Sequence, residues 1–257
     1  MHLPSWVPDW REHESHILSE PTSPHRAHAS RPADLEIEGG AKVLKVRGIK
    51  VDVLEACSDP IQQKEFHFDK SRRVLAIESL WREICGKTGF DLKHRYLDDP
   101  NGDHAVFAYT QTLSSGGIAT ASWDARHYHE IDCEEWFAQG AAYLTAALAD
   151  TDLVSAELKD KAVGGDLYKW TRAANGSASN RSFGRTAQGR YVLGPKAMEK
   201  GDVVCVLFGG KMPFVLRPWD DGKFLLVGEC YVHGLMQGEA IELLERGEID
   251  KETFHIC

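Results

Sequence analysis

The chain has 257 residues, 42% of them hydrophobic and 27% charged, with a formal net charge of −9. That length supports one large domain or two small ones, and the acidic balance argues against a nucleic-acid partner, which requires a Lys/Arg footprint. No uninterrupted apolar run approaches the ~20 residues that span a bilayer, and Met1–Trp10 lacks the basic stretch and apolar core of a secretory signal, so a cytoplasmic protein without a membrane span is expected.

The opening, Leu3-Pro4-Ser5-Trp6-Val7-Pro8-Asp9-Trp10, is aromatic and punctuated by proline, which pushes each preceding residue to extended geometry. Residues 11–34 are rich in His, Ser, Pro, Arg and Glu and read as a loop. Residues 1–34 are therefore an arm and linker. Over Ala41–Ala56 apolar and polar residues alternate around Gly48, predicting a hairpin that turns near that glycine, within a segment bounded at 35–57. Helical spacing then takes over for residues 58–178. Ser71 is a candidate N-cap, with Val74, Ile77, Leu80, Trp81 and Ile84 on one face and Gly86 and Gly89 as stops. Val106–Leu113 is apolar without a period that chooses helix or strand. Asp132-Cys133-Glu134-Glu135 resembles a capping box, and Trp136, Phe137, Gly140, Ala141, Leu144 and Leu148 form a stripe whose small residues suggest close helix packing. Further helices are expected at Leu153–Ala162 and Leu167–Ala173.

Residues 179–257 change character. Arg181–Thr186, Tyr191–Leu193, Val203–Phe208, Phe214–Trp219 and Lys223–Val232 read as short strands, with Gly189, Gly201, Gly209–Gly210 and Gly222 supplying the turns. A helix at Gly238–Glu245 and an extended end at Thr253–Cys257 follow. The fold class is α+β: a helical region plus a small C-terminal β-barrel, with the N-terminal hairpin a candidate contributor.

Chemistry-bearing motifs are sparse. The sequence holds no phosphate loop, GxGxxG, GxSxG or HExxH. The six cysteines, at 57, 85, 133, 205, 230 and 257, are scattered and read as buried free thiols. His127, His129, Glu130, Asp132 and Cys133 could ligate zinc, but their spacing matches no standard finger and Asp132 is wanted as a helix cap, so no metal or cofactor is expected. Cys230 and His233 could form a thiolate–imidazole dyad. Three residues apart on a strand they point to opposite faces, so a core thiol beside a polar strand end is the preferred reading and no catalytic residue is assigned. Trp6, Trp10, Trp219, Tyr231 and His233 are the candidates for an interaction surface, set against the simpler reading that the N-terminal arm packs on the barrel or helices. Arg217, before Pro218, hints at an anion site.

Several blocks resemble one family in order and spacing. They are Tyr191-Val192-Leu193-Gly194-Pro195, Lys200-Gly201-Asp202 through Leu207, Val215-Leu216-Arg217-Pro218, and Val227-Gly228-Glu229-Cys230-Tyr231-Val232-His233-Gly234-Leu235-Met236-Gln237-Gly238-Glu239-Ala240. Together they resemble the C-terminal region of fungal heterokaryon-incompatibility (HET domain) proteins. The Leu3–Trp10 block is similar to the segment that follows the HET domain, and Val46–Asp52 to the first hairpin. The resemblance implies a helical insert with a small barrel and a role in fungal non-self recognition and cell death. It also implies that the HET effector should precede Leu3 and is lacking here. The expected function is therefore a non-enzymatic recognition region with a protein partner, either a HET-type relative or an incompatibility partner. The alternatives are a free-standing partner- or ligand-binding module and a Cys- or metal-dependent enzyme.

Overall fold

The longest strand organises the sheet. In the computed structural model, which describes residues 4–7, 25–40, 42–69, 75–116 and 133–257, strand β1 (Leu35–Glu38) turns into β2 (Val43–Cys57), and β2 runs unbroken for 15 residues. The expected turn near Gly48 is absent. The chain reverses instead at Gly39–Gly40, both at positive φ (62° and 66°), where glycine carries no Cβ penalty. Gly48 serves another purpose: a Cβ there would stand 2.5 Å from the Val206 carbonyl oxygen, so glycine lets β5 come close to β2.

The remaining strands are β3 (Arg181–Thr186), β4 (Tyr191–Pro195), β5 (Val203–Leu207), β6 (Phe214–Pro218), β7 (Phe224–Glu229), β8 (Tyr231–Val232) and β9 (Lys251–Ile256). β2 pairs antiparallel with β5 along one edge and β9 along the other. β5–β6 and β6–β7 are antiparallel neighbours, and β7 meets β9 in parallel at Phe224↔Ile256. The circuit β2–β5–β6–β7–β9–β2 therefore closes into a small barrel. All five strands send side chains to one apolar cluster: Val46, Cys205, Leu207, Leu216, Phe254 and Ile256, with Leu44, Phe214, Phe224 and Leu226 at its margin. This is the period-two signature of an enclosed strand face. Four of the turn glycines behave as expected, with φ of 90° at Gly189, 95° at Gly201, 90° at Gly209 and 72° at Gly222, whereas Gly210 is not at positive φ.

A second layer, β3–β4–β8, joins the end of β2. Val192, Cys230 and Val232 pack inward against Ile49, Leu54, Val204, Val206 and Val215, together with Ala240 and Ile241 of helix α6 (Glu239–Glu245). The alternate residues Phe183, Tyr191, Leu193 and Tyr231 face the helices.

Those helices are α1 (Leu75–Ser79), extended by a wider turn over Leu80–Ile84, α2 (Ala105–Leu113), α3 (Cys133–Ala147), α4 (Ala156–Lys161) and α5 (Leu167–Ala178). Ile77, Leu80, Trp81 and Ile84 are buried as the spacing predicts, while Ser71 and Val74 lie outside the described residues. Every residue of α2 is buried. A helix enclosed all round has no polar face and hence no readable period, so the sequence could not type it. Gly140 of α3 lets that helix approach α2, where a Cβ would sit 3.0 Å from Thr110 Cβ. Helix α5 continues five residues beyond the expected end at Ala173. Asp166 caps it by accepting from the Tyr168 N–H (2.9 Å), and the Asn175 side chain accepts from the Phe66 N–H (3.0 Å). The class is α+β, as the sequence implies. No helix among the described residues is long and apolar enough to cross a membrane.

Candidate functional site

Polar side chains from distant parts of the chain converge where the helical layer meets β4 and β8. The loop before α2 is shaped by Leu97 and Asp98 at positive φ (56° and 54°). It is closed by the Tyr96 N–H donating to the Asp103 carbonyl (2.8 Å) and by Arg95 Nη1 donating to the Gly102 carbonyl (3.1 Å). The loop presents Tyr96 and Asp103 to the sheet. The Tyr96 hydroxyl accepts from the Tyr191 N–H (3.0 Å) and donates to the His233 carbonyl (3.2 Å). His233 Nε2 lies 2.9 Å from Asp103 Oδ2. The imidazole stands edge-on to Tyr96 (5.0 Å, 75°) and Phe107 (5.9 Å, 90°). Only 8% of His233 is exposed, and its buried Nδ1 has no hydrogen-bond partner among the described residues. The His233 hydrogen bond holds the Asp103 carboxyl below the usual carboxylate range against a weaker desolvation effect. Burial pushes the Tyr96 hydroxyl well above its ordinary value, keeping it a neutral donor.

An Asp–His pair can orient an imidazole for proton transfer. Here it ties a loop of the helical layer to the end of β8, with no nucleophile within hydrogen-bonding reach of Nδ1 among the described residues. Cys230 packs with Val192, Val215 and Val232 between the barrel and the second layer, whereas His233 faces the helices. Burial raises the Cys230 thiol far above its ordinary value, which disfavours a thiolate. The structure thus puts these two in different surroundings, although the single strand expected over Lys223–Val232 divides at Cys230 into β7 and β8.

The aromatic candidates are dispersed. Trp6 packs, half-buried, against the barrel's apolar interior. Beside it, the Ser5 hydroxyl donates to the Cys257 carbonyl and accepts from the Leu226 N–H (2.8 Å), so this part of the arm docks where β7 and β9 meet. Trp219 is 53% exposed at the β6–β7 turn. Tyr231 is buried edge-on to His25 (5.8 Å). Trp10 lies outside the described residues, as do His127, His129, Glu130 and Asp132; Cys133 is exposed at the start of α3. Arg217 is not a vacant anion site. Its Nε and Nη2 donate to the two carboxylate oxygens of Asp202 (2.9 and 3.0 Å), which is 1% exposed, and Nη2 also donates to the Ala197 carbonyl (2.6 Å).

Tyr96 and Asp103 are the members of the seam that sequence reasoning missed. Both lie in the stretch 95–104, where Asp98, Asp99, Pro100, Asn101 and Gly102 signal only turns, and nothing in local spacing connects Asp103 to a histidine 130 positions away.

A small barrel, a covering three-stranded layer and a helical layer make up the described fold. The Het-6 β-barrel domain family matches residues 119–253, more than half of the chain, and the chain belongs to that family. A curated relative, the OR allele of heterokaryon incompatibility protein 6 from Neurospora crassa, is 25% identical over 269 residues, covering 95% of this chain. The chain spans 39% of that relative's length. No solved structure matches.

Proposed function

We propose that this chain is a non-catalytic recognition region of the heterokaryon-incompatibility type, acting in the cytoplasm on a protein partner: a HET-type relative or an incompatibility partner. The observation that carries this reading is the likeness to incompatibility protein 6, which extends over 95% of the chain and so takes in both the helical layer and the barrel. The chemistry of the thiols supports the non-catalytic part. Burial raises the Cys85, Cys205 and Cys230 thiols and pushes half-buried Cys57 up to about 11, the opposite of the depressed values that make a cysteine nucleophilic.

The test is a pair of assays on the purified chain. It should release no nicotinamide from nicotinamide adenine dinucleotide, and it should bind purified Neurospora incompatibility protein 6. Sustained turnover would overturn the non-catalytic reading, and failure to bind that protein or an incompatibility partner would overturn the recognition reading.

A further inference from the structure

Among the described residues the hairpin β1–β2 leaves one edge unpaired, and that edge has a definite chemistry. Among the described residues β1 pairs only with β2, in the register Leu35↔Val46, Glu36↔Lys45, Ile37↔Leu44 and Glu38↔Val43. The Asp34 carbonyl accepts from the Arg47 N–H (2.9 Å) and the Glu38 carbonyl from the Lys42 N–H (3.1 Å). Main-chain groups of alternate residues in an antiparallel pair point to opposite edges. Residues 34, 36 and 38 thus spend theirs on the hairpin, while Leu35 and Ile37 direct N–H and C=O away from it. The same two residues are 55% and 53% exposed, although they stand opposite Val46 of the barrel's apolar interior and Leu44 at its margin. On the other face, Lys45 Nζ is bound to Glu38 (2.5 Å), and Glu36, directly opposite Lys45 and attracting it more weakly, holds no ion pair among the described residues.

We infer that the outer edge of β1 docks an extended segment of a partner protein in which apolar and basic residues alternate. The inference rests on the recognition reading above and specifies its surface. An added antiparallel strand would bond to the N–H and C=O of Leu35 and Ile37, extend their apolar face, and place a Lys or Arg beside the Glu36 carboxylate. A second copy of this chain fits less well. Pairing Leu35 with Ile37 of the other copy would set the two Glu36 side chains directly opposite each other, and like charges there are destabilising.

The probe is a capped nine-residue peptide alternating Val and Lys, with a Val/Glu peptide as control, read by fluorescence anisotropy and by amide hydrogen exchange. The Val/Lys peptide should bind and slow exchange at Leu35 and Ile37. Ile37→Pro removes an N–H that the hairpin does not use, so it should weaken binding about tenfold or more while leaving the melting temperature near that of the parent. Glu36→Lys should transfer preference to the Val/Glu peptide. Equal binding to the parent and both variants, protection at other amides, or protection of Leu35 and Ile37 by concentration-dependent dimerisation without peptide would each overturn the assignment. The two readings fail separately. If Ile37→Pro still captures incompatibility protein 6 at parental affinity, the edge is wrong and recognition stands. If the parent chain captures no incompatibility protein, recognition fails whatever the peptide does.

Discussion

Inside the barrel, Cys205, Leu207, Leu216 and Ile256 pack with Phe214, Phe224 and Phe254, rings without a polar tip, whereas the helical layer is built around Trp81, Phe90, Tyr109, Tyr143 and Trp170. Trp81 stacks on Phe90 (5.0 Å) and leans on Tyr109 (5.0 Å), and Tyr143 meets Trp170 at 4.3 Å. Apolar branched side chains need only volume and alternation. Large rings with polar tips need partners as well. Trp81 Nε1 donates to the Gly89 carbonyl (3.0 Å), Trp170 Nε1 to the Thr110 carbonyl (3.2 Å), and the Tyr109 hydroxyl to the Ile77 carbonyl (2.7 Å). The helical layer is therefore the more specific of the two cores and the less tolerant of exchange.

That contrast is sharpest at Trp170, which is fully buried. Trp170→Ala should cost about 3–5 kcal/mol in urea unfolding, while Cys205→Val in the barrel should cost less than about 1.5 kcal/mol. Equal losses at the two sites would erase the distinction. Next in size, Arg217→Ala leaves the buried Asp202 carboxylate without its bidentate partner and should cost about 3 kcal/mol or more. A melting temperature matching the parent's would show that Asp202 is not held by this pair.

Acid should weaken the seam between the two regions. Burial lowers His25 from 6.5 to about 4. The unfolded chain therefore takes up a proton that the folded chain refuses, and stability is full above about pH 6.5 and falls towards pH 4, by about 3 kcal/mol. A pH series of urea midpoints should show this slope in the parent and its loss in His25→Gln; an unchanged slope would exclude His25 as the cause. The smallest effect is at Asp103, whose lowered value likewise contributes stability that disappears as pH falls through it. The pair is half exposed on the Asp103 side, so Asp103→Asn should cost about 1 kcal/mol or less at pH 7. Its His233 ring resonances should nevertheless shift, which distinguishes loss of this contact from no contact at all.

The barrel was the legible part because period two and positive-φ glycines are local signals, as Gly189, Gly201, Gly209 and Gly222 illustrate. Gly48 misled for a physical reason: glycine marks both turns and close backbone approach, and only the position of β5 decides between them. Helix α2 was unreadable because burial on every side removes the period. The Tyr96–Asp103–His233 cluster was beyond local reasoning, since its geometry exists only once β8 lies beside the helical layer.

One consequence of the barrel's connectivity concerns time rather than structure. The β3–β4, β5–β6 and β6–β7 hairpins can each form by closing a short loop. The circuit itself needs β2, which precedes the whole helical region, to meet β5 and β9, which follow it. Such contacts carry the entropy of a long closure and come late in folding. Until then β5 exposes an apolar edge and β9 an unpaired one. A fragment cut at residue 119, where the family match begins, would lack β2 and keep those edges permanently open. Such a fragment should aggregate, and adding a separate chain of residues 1–118, which carries β2 together with α1 and α2, should restore its solubility.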